Sequence, residues 1–283
     1  MSELLLCRVE TARAVARRFG LSPDRSRSQS FLVDQVVRDA IVASLPPQPR
    51  TVLEIGCGLG ALTQGLLQAG RQVVGVEVDD RAVAALGLLR ARYPGLRVVA
   101  ADALQVGARE LGLSGPFVAV GNLPYGLTGA LIPHVLGFEP PPVTCLFLVQ
   151  REVAARLAAP PGGWSLSTLA VRLAAVVERR LEVGPESFWP VPKVQSTLLE
   201  LRPSPVGDQA LRAGLLALAR PIFQQRRKQL RHGLAGALHV DPGAADELLR
   251  SVGIDPTRRP GTLELEEWLR LAPLGGVGGG EMR

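Results

Sequence analysis

The chain has 283 residues, of which 47% are hydrophobic and 20% charged, and its formal net charge is +6. This composition fits one large domain or two modest ones with a packed core, and it argues against wholesale disorder. No apolar run reaches the roughly 18 residues of a membrane span, so we expect a soluble, cytoplasmic protein. Three cysteines without a CxxC spacing argue against a disulfide framework and a zinc site, and no metal is expected.

Between residues 51 and 150, short apolar runs alternate with helical stretches. The runs typical of buried parallel strands are Thr51–Ile55, Gln72–Val78, Leu96–Ala101, Phe117–Gly121 and Val143–Val149. The predicted helices are Ala61–Ala69, Asp79–Arg92, Arg151–Ala159 and Ser165–Val177, and two later strands are Arg180–Val183 and Ser196–Leu201. Strands that alternate with helices predict an α/β fold with a Rossmann-like, doubly wound sheet.

The composition changes after Arg202, where Pro203-Ser204-Pro205 is typical of a linker. Residues 209–271 are predicted to be helical, with breaks at Asp241-Pro242 and Asp255-Pro256. We therefore expect an α/β domain over residues 1–203, which opens with basic helices over the first 45 residues. A small all-helical domain is expected over 204–273, followed by a disordered Gly-rich tail over 274–283.

A glycine-rich loop, Glu54-Ile55-Gly56-Cys57-Gly58-Leu59-Gly60, connects the first predicted strand to the first helix. Glycines there let the backbone turn tightly and approach a ligand without a Cβ clash. The loop also satisfies the looser dinucleotide pattern, because Ala61 can replace the third glycine. Nicotinamide and flavin cofactors therefore remain open on this motif alone. Nothing basic is near Cys57 in sequence, so we interpret it as a small residue tolerated in a turn and not as a nucleophile.

Two acidic residues follow the next two predicted strands. Glu77 lies 21 positions after Gly56 and can accept hydrogen bonds from both ribose hydroxyls, whereas Asp102 can accept from an adenine amino group or simply cap a short helix. The loop carries no Lys, Arg or Ser suited to a phosphate. This favours S-adenosylmethionine, which has a ribose and an adenine but no phosphate.

The tetrapeptide Asn122-Leu123-Pro124-Tyr125 follows the fourth predicted strand and holds the chain's single asparagine. An adenine amine is a poor nucleophile because its lone pair is delocalised into the ring. Two acceptors on its N–H bonds would expose that lone pair: the Asn122 side-chain oxygen and a backbone carbonyl near Pro124. Tyr125 offers a face on which the base can stack. The sequence therefore predicts methyl transfer to adenine N6, with an Asn-Pro turn as the structural alternative.

From about Arg25 to Trp268, the chain resembles the small-subunit ribosomal RNA adenine N6,N6-dimethyltransferase family. The glycine loop and the Asn122–Tyr125 tetrapeptide are similar to two family motifs. The other matching segments are Ser28-Gln29-Ser30-Phe31-Leu32, Gln150-Arg151-Glu152-Val153-Ala154, Phe188-Trp189-Pro190-Val191-Pro192-Lys193-Val194 and Phe223-Gln224-Gln225-Arg226-Arg227-Lys228. Ser30, in place of the family's asparagine, and Gln195, in place of an aspartate, depart from the pattern.

The resemblance implies both an activity and a set of site residues. The family methylates two adjacent adenosines near the 3′ end of small-subunit rRNA, twice each. The implied cofactor contacts, to which the glycine loop adds Gly58, are Ser30, Leu32, Gly56, Glu77, Asp102 and Asn122. The implied grip on the target adenine comes from Asn122, Pro124, Tyr125 and, on the other face of the base, Phe188.

Basic residues without an intervening acid lie in the predicted helical domain. The residues expected to contact RNA phosphates are Arg220, Arg226, Arg227, Lys228 and Arg231. A second basic region consists of Arg8, Arg13, Arg17, Arg18, Arg25 and Arg27. A merely solvated basic face is the alternative. The chain is thus interpreted as a monomeric, S-adenosylmethionine-dependent rRNA adenine dimethyltransferase that acts on the small subunit late in its assembly.

Three alternatives remain beside this interpretation. A 23S rRNA or DNA adenine methyltransferase would share the glycine loop and the Asn-x-Pro-aromatic motif. A ribosome assembly factor without catalysis, or a transcription factor on the same fold, would keep the fold and the basic surface. A dehydrogenase is disfavoured because the sequence offers no catalytic His, Tyr-x-x-x-Lys or Cys in a matching second site.

Overall fold

The computed structural model describes residues 5–22 and 30–275. The chain divides into two compact units: the first runs up to residue 154 and resumes over 178–203, and the second takes residues 155–177 and those from 204 onward. Residue 203, where the α/β domain was expected to end, is also the end of the first unit. Residues 155–177, however, were expected in the α/β domain and lie in the second unit. They belong to the second unit because Trp164, Leu169 and Leu173 pack into the hydrophobic core of that unit.

A seven-stranded sheet organises the first unit, with a separate pair of short strands. The strands in chain order are β1 Phe31–Leu32, β2 Thr51–Ile55, β3 Gln72–Glu77, β4 Leu96–Ala100, β5 Val118–Asn122, β6 Thr144–Gln150, β7 Ala175–Val183, β8 Phe188–Trp189 and β9 Ser196–Pro203. The large sheet has the order β4-β3-β2-β5-β6-β9-β7. Strands β2 to β6 pair in parallel, β9 pairs antiparallel to β6, and β1 pairs antiparallel to β8.

The five predicted parallel strands are confirmed, with ends that differ from the predicted ones by no more than one residue. Their continuous burial explains why they lack a polar alternation: Val52, Leu53, Val118, Ala119 and Val120 are all fully buried. The strand order reverses at β2, which has β3 on one side and β5 on the other. In a sheet of this kind the crevice at the reversal point, beyond the carboxyl ends of the strands, is where ligands bind.

Helices connect the strands of the first unit. They are α1 Val9–Arg18, α2 Gln35–Ala43, α3 Ala61–Gln68, α4 Asp80–Arg90, α5 Thr128–Leu136 and α6 Arg151–Leu157, the last of which continues into the second unit. Asp79 caps α4 by accepting from the Arg81 backbone N–H, and Gly70 follows α3 with a φ of 74°. The sequence pattern does not indicate α5, which begins three residues after Tyr125.

The second unit is helical, and its helices are α7 Leu166–Arg172, α8 Gln209–Gln224, α9 Leu230–Leu238, α10 Pro242–Ser251 and α11 Leu265–Leu271. The predicted helix Ser165–Val177 is wrong in its second half, because α7 ends at Arg172 and β7 begins at Ala175. Leu274 and Gly275, expected in the tail, belong to a short 3-10 helix, and residues 276–283 lie outside the described residues. No helix in the described residues is long and apolar enough to cross a membrane.

Candidate active site

A cavity of about 470 Å³ opens at the carboxyl ends of the parallel strands of the first unit. This volume falls within the usual range of small-molecule sites. All of the residues predicted to contact a cofactor line it: Ser30, Leu32, Gly56, Gly58, Glu77, Asp102 and Asn122. Pro124 and Tyr125 line it as well, so one cavity collects nearly the whole predicted site.

The glycine loop forms the floor of this cavity, and its conformation requires glycine. Gly56, Gly58 and Gly60 have φ values of 72°, 52° and 85°, in the left-handed region that other residues rarely adopt. Cys57 lies between the first two glycines and is buried, and burial raises the pKa of its thiol well above the ordinary value. A thiol held in this state is a poor nucleophile, in agreement with the interpretation of Cys57 as a packing residue.

Backbone N–H groups hold the Glu77 carboxylate at the end of β3. Its Oε2 accepts from the Gly58 N–H at 2.8 Å, and its Oε1 accepts from the N–H groups of Val78 and Asp79 at 2.9 and 3.0 Å. These bonds connect the glycine loop to β3 and fix both carboxylate oxygens at the cavity wall. Oε2, which accepts a single N–H, retains acceptor capacity for a ligand hydroxyl, as a ribose contact requires.

Asp102 caps a short helix and also lies at the cavity, so the cap and the predicted adenine contact do not exclude each other. Its Oδ1 accepts from the Leu104 N–H at 2.9 Å and so caps the short 3-10 helix Ala103–Gln105. The same residue lines the cavity and is exposed. The cap therefore orients the carboxylate and leaves it acceptor capacity for a ligand.

Glu54 is a third carboxyl group at the cavity, and it is not among the site residues predicted from the sequence. It lies on β2, its side chain is 1% exposed, and its Oε2 has no hydrogen-bond partner among the described residues. Burial raises the pKa of this carboxyl to about 8. Its position at the head of the glycine motif was visible in the sequence, but its burial was not.

The charge of the lining discriminates between cofactor classes. Three carboxyl groups, Glu54, Glu77 and Asp102, line the cavity, and no Lys, Arg or His does so in the described part of the chain. A dinucleotide pyrophosphate placed here would meet acidic side chains without a compensating cation. The lining therefore favours a ligand with hydroxyl groups and positive charge over a nicotinamide or flavin dinucleotide.

The Asn122 side chain is oriented by a hydrogen bond to Ser30, the residue just before β1. Its Nδ2 donates to the Ser30 carbonyl oxygen at 2.7 Å, and the Ser30 Oγ in turn donates to the Pro190 carbonyl oxygen at 3.1 Å. Because the amide nitrogen is committed to Ser30, the amide oxygen of Asn122 is left as a free acceptor at the cavity wall. The serine that departs from the family pattern is therefore part of the support of Asn122.

The backbone carbonyl of Pro124 is not a free acceptor for the target amine. The Pro124 carbonyl oxygen accepts from the Leu127 N–H at 2.9 Å and from the Thr128 Oγ1 at 3.2 Å. A carbonyl oxygen has two lone pairs, so this acceptor is saturated. No described residue donates to the Leu123 carbonyl oxygen, so it can serve as the second acceptor. The sequence had indicated only that the carbonyl lies near Pro124.

Tyr125 is half-buried at the cavity and is held at its far end. Its Oη lies 3.1 Å from the Ser196 Oγ, in hydrogen-bond contact, and burial raises the pKa of the phenol. The hydroxyl therefore stays protonated at neutral pH and serves to anchor the ring. This arrangement presents an aromatic face and not a base.

The structure does not place Phe188 at the cavity, where the resemblance had implied a contact with the target base. Phe188 is 1% exposed, packs in the hydrophobic core of the first unit and does not line the cavity. In the β1–β8 pair it lies opposite Leu32, and the pleat turns the next residue, Trp189, to the other face. Trp189 stacks with Phe31, which does line the cavity, at a ring-centroid distance of 6.2 Å. The aromatic rings next to the site are therefore those of Phe31 and Trp189.

Comparison with known proteins agrees with this geometry. A model of the family described as ribosomal RNA adenine dimethylase matches residues 22–274. The chain belongs to the ribosomal RNA adenine dimethylase family. It is 37% identical over 256 residues to the ribosomal RNA small subunit methyltransferase A of Desulfitobacterium hafniense strain DSM 10664 / DCB-2, covering 88% of this chain and 91% of that protein. It is 39% identical over 280 residues to the protein of that name from Nocardia farcinica, covering 92% of each.

Solved structures agree on the fold of this dimethylase-family chain. A dimethyladenosine transferase from Plasmodium falciparum superposes with a TM-score of 0.72 at 23% identity, over 87% of this chain and 98% of that one. The 23S rRNA methyltransferase ErmE superposes with a TM-score of 0.67 at 28% identity, over 86% of this chain and 98% of that one. The Rossmann-like methyltransferase fold predicted from the sequence is confirmed.

The basic residues of the second unit differ in their surroundings. Arg220, Arg226, Arg227 and Lys228 are exposed, and none forms an ion pair with a described residue. Arg231 is half-buried instead, and its guanidinium pairs with Asp246 at 3.3 Å and donates to Gln229 at 2.5 Å. Arg226, Arg227 and Lys228 lie in the turn between α8 and α9, since α8 ends at Gln224, and not in a helix as expected.

Proposed function

We propose that this member of the dimethylase family transfers methyl groups from S-adenosylmethionine to the exocyclic N6 of adenosine in small-subunit ribosomal RNA. The observation that carries the proposal is the hydrogen bond from Asn122 to Ser30, because it leaves the Asn122 amide oxygen as an acceptor in a cavity lined by carboxyl groups. The names of the curated relatives, at 37% and 39% identity, support the choice of the small subunit.

The finer proposal concerns the target and its setting. The targets are two adjacent adenosines near the 3′ end of 16S rRNA, each converted to N6,N6-dimethyladenosine. The protein acts as a monomer in the cytoplasm, on the 30S subunit late in its assembly. The resemblance of several motifs in the same order as in the family supports these statements.

The residues of the cavity suit S-adenosylmethionine, which supplies an activated methyl group on a sulfonium. Glu77 would accept hydrogen bonds from the ribose hydroxyls, and Asp102 would accept from the adenine amino group. Val78, which is 62% exposed and lines the cavity, offers an apolar surface for the adenine ring. The positive-φ glycines let the backbone approach the methionine portion without a Cβ in the way.

The chain's own residues position and activate the target amine. The Asn122 amide oxygen and the Leu123 carbonyl oxygen would each accept one N–H of the amine, which draws the nitrogen toward a tetrahedral geometry and exposes its lone pair. Tyr125 would stack on the base, with its hydroxyl anchored on Ser196. Because the methyl group is already activated, orientation supplies most of the rate enhancement and no general base is needed before attack.

Methylation of adenine in 23S rRNA is the second candidate, and the likeness to ErmE at 28% identity favours it. Two observations support the small subunit instead. The curated relatives named for the small subunit are more similar to this chain, at 37% and 39% identity against 28% for ErmE. The basic turn of the second unit, at residues 226–228, resembles the segment expected in the small-subunit family.

The decisive experiment offers labelled S-adenosylmethionine and three substrates: unmodified small subunits, large subunits and adenine-containing DNA. Mass spectrometry of nuclease digests then identifies the modified base. We expect label only in small subunits and as dimethyladenosine. Label in large subunits or DNA would retain the mechanism and overturn the substrate. No transfer by protein that still binds the cofactor would favour an assembly factor without catalysis.

A further inference from the structure

A second, open groove of about 570 Å³ lies on the first unit beside the cavity. It is formed by α1 and the chain just after it, together with one residue of β8. The residues that line it are Arg13, Ala16, Arg17, Gly20, Leu21, Ser22 and Trp189. Neither the glycine loop nor the tetrapeptide contributes to it, and the proposed transfer reaction does not use it.

The groove carries two free cations and one aromatic face. Arg13 and Arg17 are exposed, and no described carboxylate pairs with either of them. The guanidinium carbon of Arg13 lies 5.9 Å from the Trp189 ring centroid, so the cation is already next to the ring. Trp189 is partly buried and lines the groove, whereas the other two tryptophans, Trp164 and Trp268, are buried and lie outside it.

The groove adjoins the site of methyl transfer. Leu21 lines both the groove and the cavity. Trp189, in the groove, stacks on Phe31, in the cavity. Trp189 is also followed by Pro190, whose carbonyl accepts from Ser30, and Ser30 in turn accepts from Asn122. A chain that enters the cavity with one base would therefore have its neighbouring nucleotide within reach of this groove.

We propose that this groove, Arg13, Arg17 and Trp189, is a second nucleotide subsite that binds an unpaired ribonucleotide next to the target adenosine. Trp189 stacks with the base, and the two arginines contact the adjoining phosphates. Stacking on an aromatic ring combined with cationic backbone contacts is the general mode by which single strands are bound. Holding the neighbouring nucleotide away from the target favours the unstacked strand that the transfer reaction needs. This inference rests on the proposed function.

The first test separates substrate binding from chemistry. Arg13→Ala/Arg17→Ala should raise KM for the RNA substrate at least about fivefold and leave both kcat and the cofactor Kd within about twofold. The slope of log K against log salt should become less steep by about 1.4, the value for two phosphate contacts on a single strand. Arg18→Ala is the matched control, because Arg18 is exposed on the same helix but lies outside the groove. An equal effect of Arg18→Ala would overturn the proposal in favour of a general basic face.

The second test needs no methyl transfer. Trp189 is the tryptophan that lines the groove, so its fluorescence, taken as the difference between the native protein and Trp189→Phe, reports the groove directly. A hexameric oligoriboadenylate should quench it, and an abasic oligomer of the same length should not. The Arg13→Ala/Arg17→Ala variant should need at least about fivefold more oligomer.

The outcomes of the two tests are distinguishable. Quenching without methylation of any RNA would retain the groove and overturn the proposed function. Methylation with no quenching by the oligoadenylate, and with an unchanged KM in the double variant, would overturn the groove alone. Trp189→Ala should raise KM for RNA, and Trp189→Phe, which keeps an aromatic face, should restore most of the loss.

Discussion

Asn122 and Ser30 lie 92 positions apart in the chain, yet the side chain of the first donates to the backbone oxygen of the second at 2.7 Å. This bond decides which end of the Asn122 amide remains free. In the proposed reaction the free oxygen accepts from the target amine. Ser30, just before β1, therefore holds the side chain of Asn122 in the orientation that this reaction needs.

Removing this side chain tests the mechanism directly. Asn122→Ala should leave cofactor binding largely in place and reduce single-turnover methyl transfer more than about tenfold, which corresponds to more than about 1.4 kcal/mol in the barrier. Asn122→Asp keeps an acceptor but loses the donor to Ser30 and places a carboxylate oxygen against a carbonyl, so it should also be impaired. Turnover at the native rate in Asn122→Ala, measured with saturating cofactor, would contradict the proposed role.

Tyr125 offers a test of stacking against acid–base chemistry. Tyr125→Phe loses the contact with Ser196 but keeps the ring, so methyl transfer should stay within about fivefold of the native rate. Tyr125→Ala loses the stacking surface and should be slowed at least about tenfold, since stacking on one base contributes about 1–3 kcal/mol. If Tyr125→Phe were as slow as Tyr125→Ala in the same single-turnover assay, the hydroxyl and not the ring would be the functional group.

Glu77 connects the glycine loop to the predicted ribose contact. Glu77→Gln replaces one carboxylate oxygen with an NH₂ group, which then faces either the Gly58 N–H or the Val78 and Asp79 N–H groups. A donor directed at a donor leaves a buried N–H unsatisfied and disturbs the loop. Cofactor affinity, measured by calorimetry, should fall at least about tenfold. The exposed Asp80→Asn on the next helix is the control, and it should bind as the native protein does.

The parallel strands and the composition of the cavity were predictable from the sequence because both depend on local pattern. Continuous apolar runs identify buried strands, and the residue after each strand falls at the carboxyl edge of the sheet. Gly56, Glu77, Asp102 and Asn122 therefore converge without any further information. The resemblance to the family supplied the same residues independently.

The parts that the sequence did not predict depend on contacts between distant segments. Which of Phe188 and Trp189 faces outward is set by the pairing of β8 with β1, across more than 150 residues. The saturation of the Pro124 carbonyl depends on the start of α5, a helix that the pattern did not indicate. The assignment of residues 155–177 to the helical unit depends on Trp164, which packs into the core of that unit.

The buried carboxyl of Glu54 should make stability depend on pH. Its pKa is about 8 in the folded protein against 4.5 as its ordinary value, so between these values the folded state binds one proton more than the unfolded state. Raising the pH through this window therefore lowers the free energy of unfolding, by up to about 1.4 kcal/mol per pH unit, and the effect levels off above pH 8. Urea unfolding of Glu54→Gln should lack this component and exceed the native stability at pH 8.5. Glu10→Gln, at an exposed position on α1, is the control. Equal pH slopes for the native protein and Glu54→Gln would contradict the assignment.

The basic turn between α8 and α9 should contribute to RNA binding through charge alone. Arg226→Ala/Arg227→Ala/Lys228→Ala removes three exposed cations that have no ion-pair partner among the described residues, so folding should be unaffected. Affinity for the unmodified small subunit should fall, and the slope of log K against log salt should become less steep by about 2 to 3, as expected for three phosphate contacts. Arg250→Ala, which removes an exposed arginine at the end of α10, is the control for loss of surface charge.

Arg231→Ala tests a different role, because it leaves Asp246 without its ion-pair partner. This variant should lower the thermal stability and change the salt slope less than the triple variant does. An unaltered slope in the triple variant would mean that this turn is solvated and does not contact RNA phosphates.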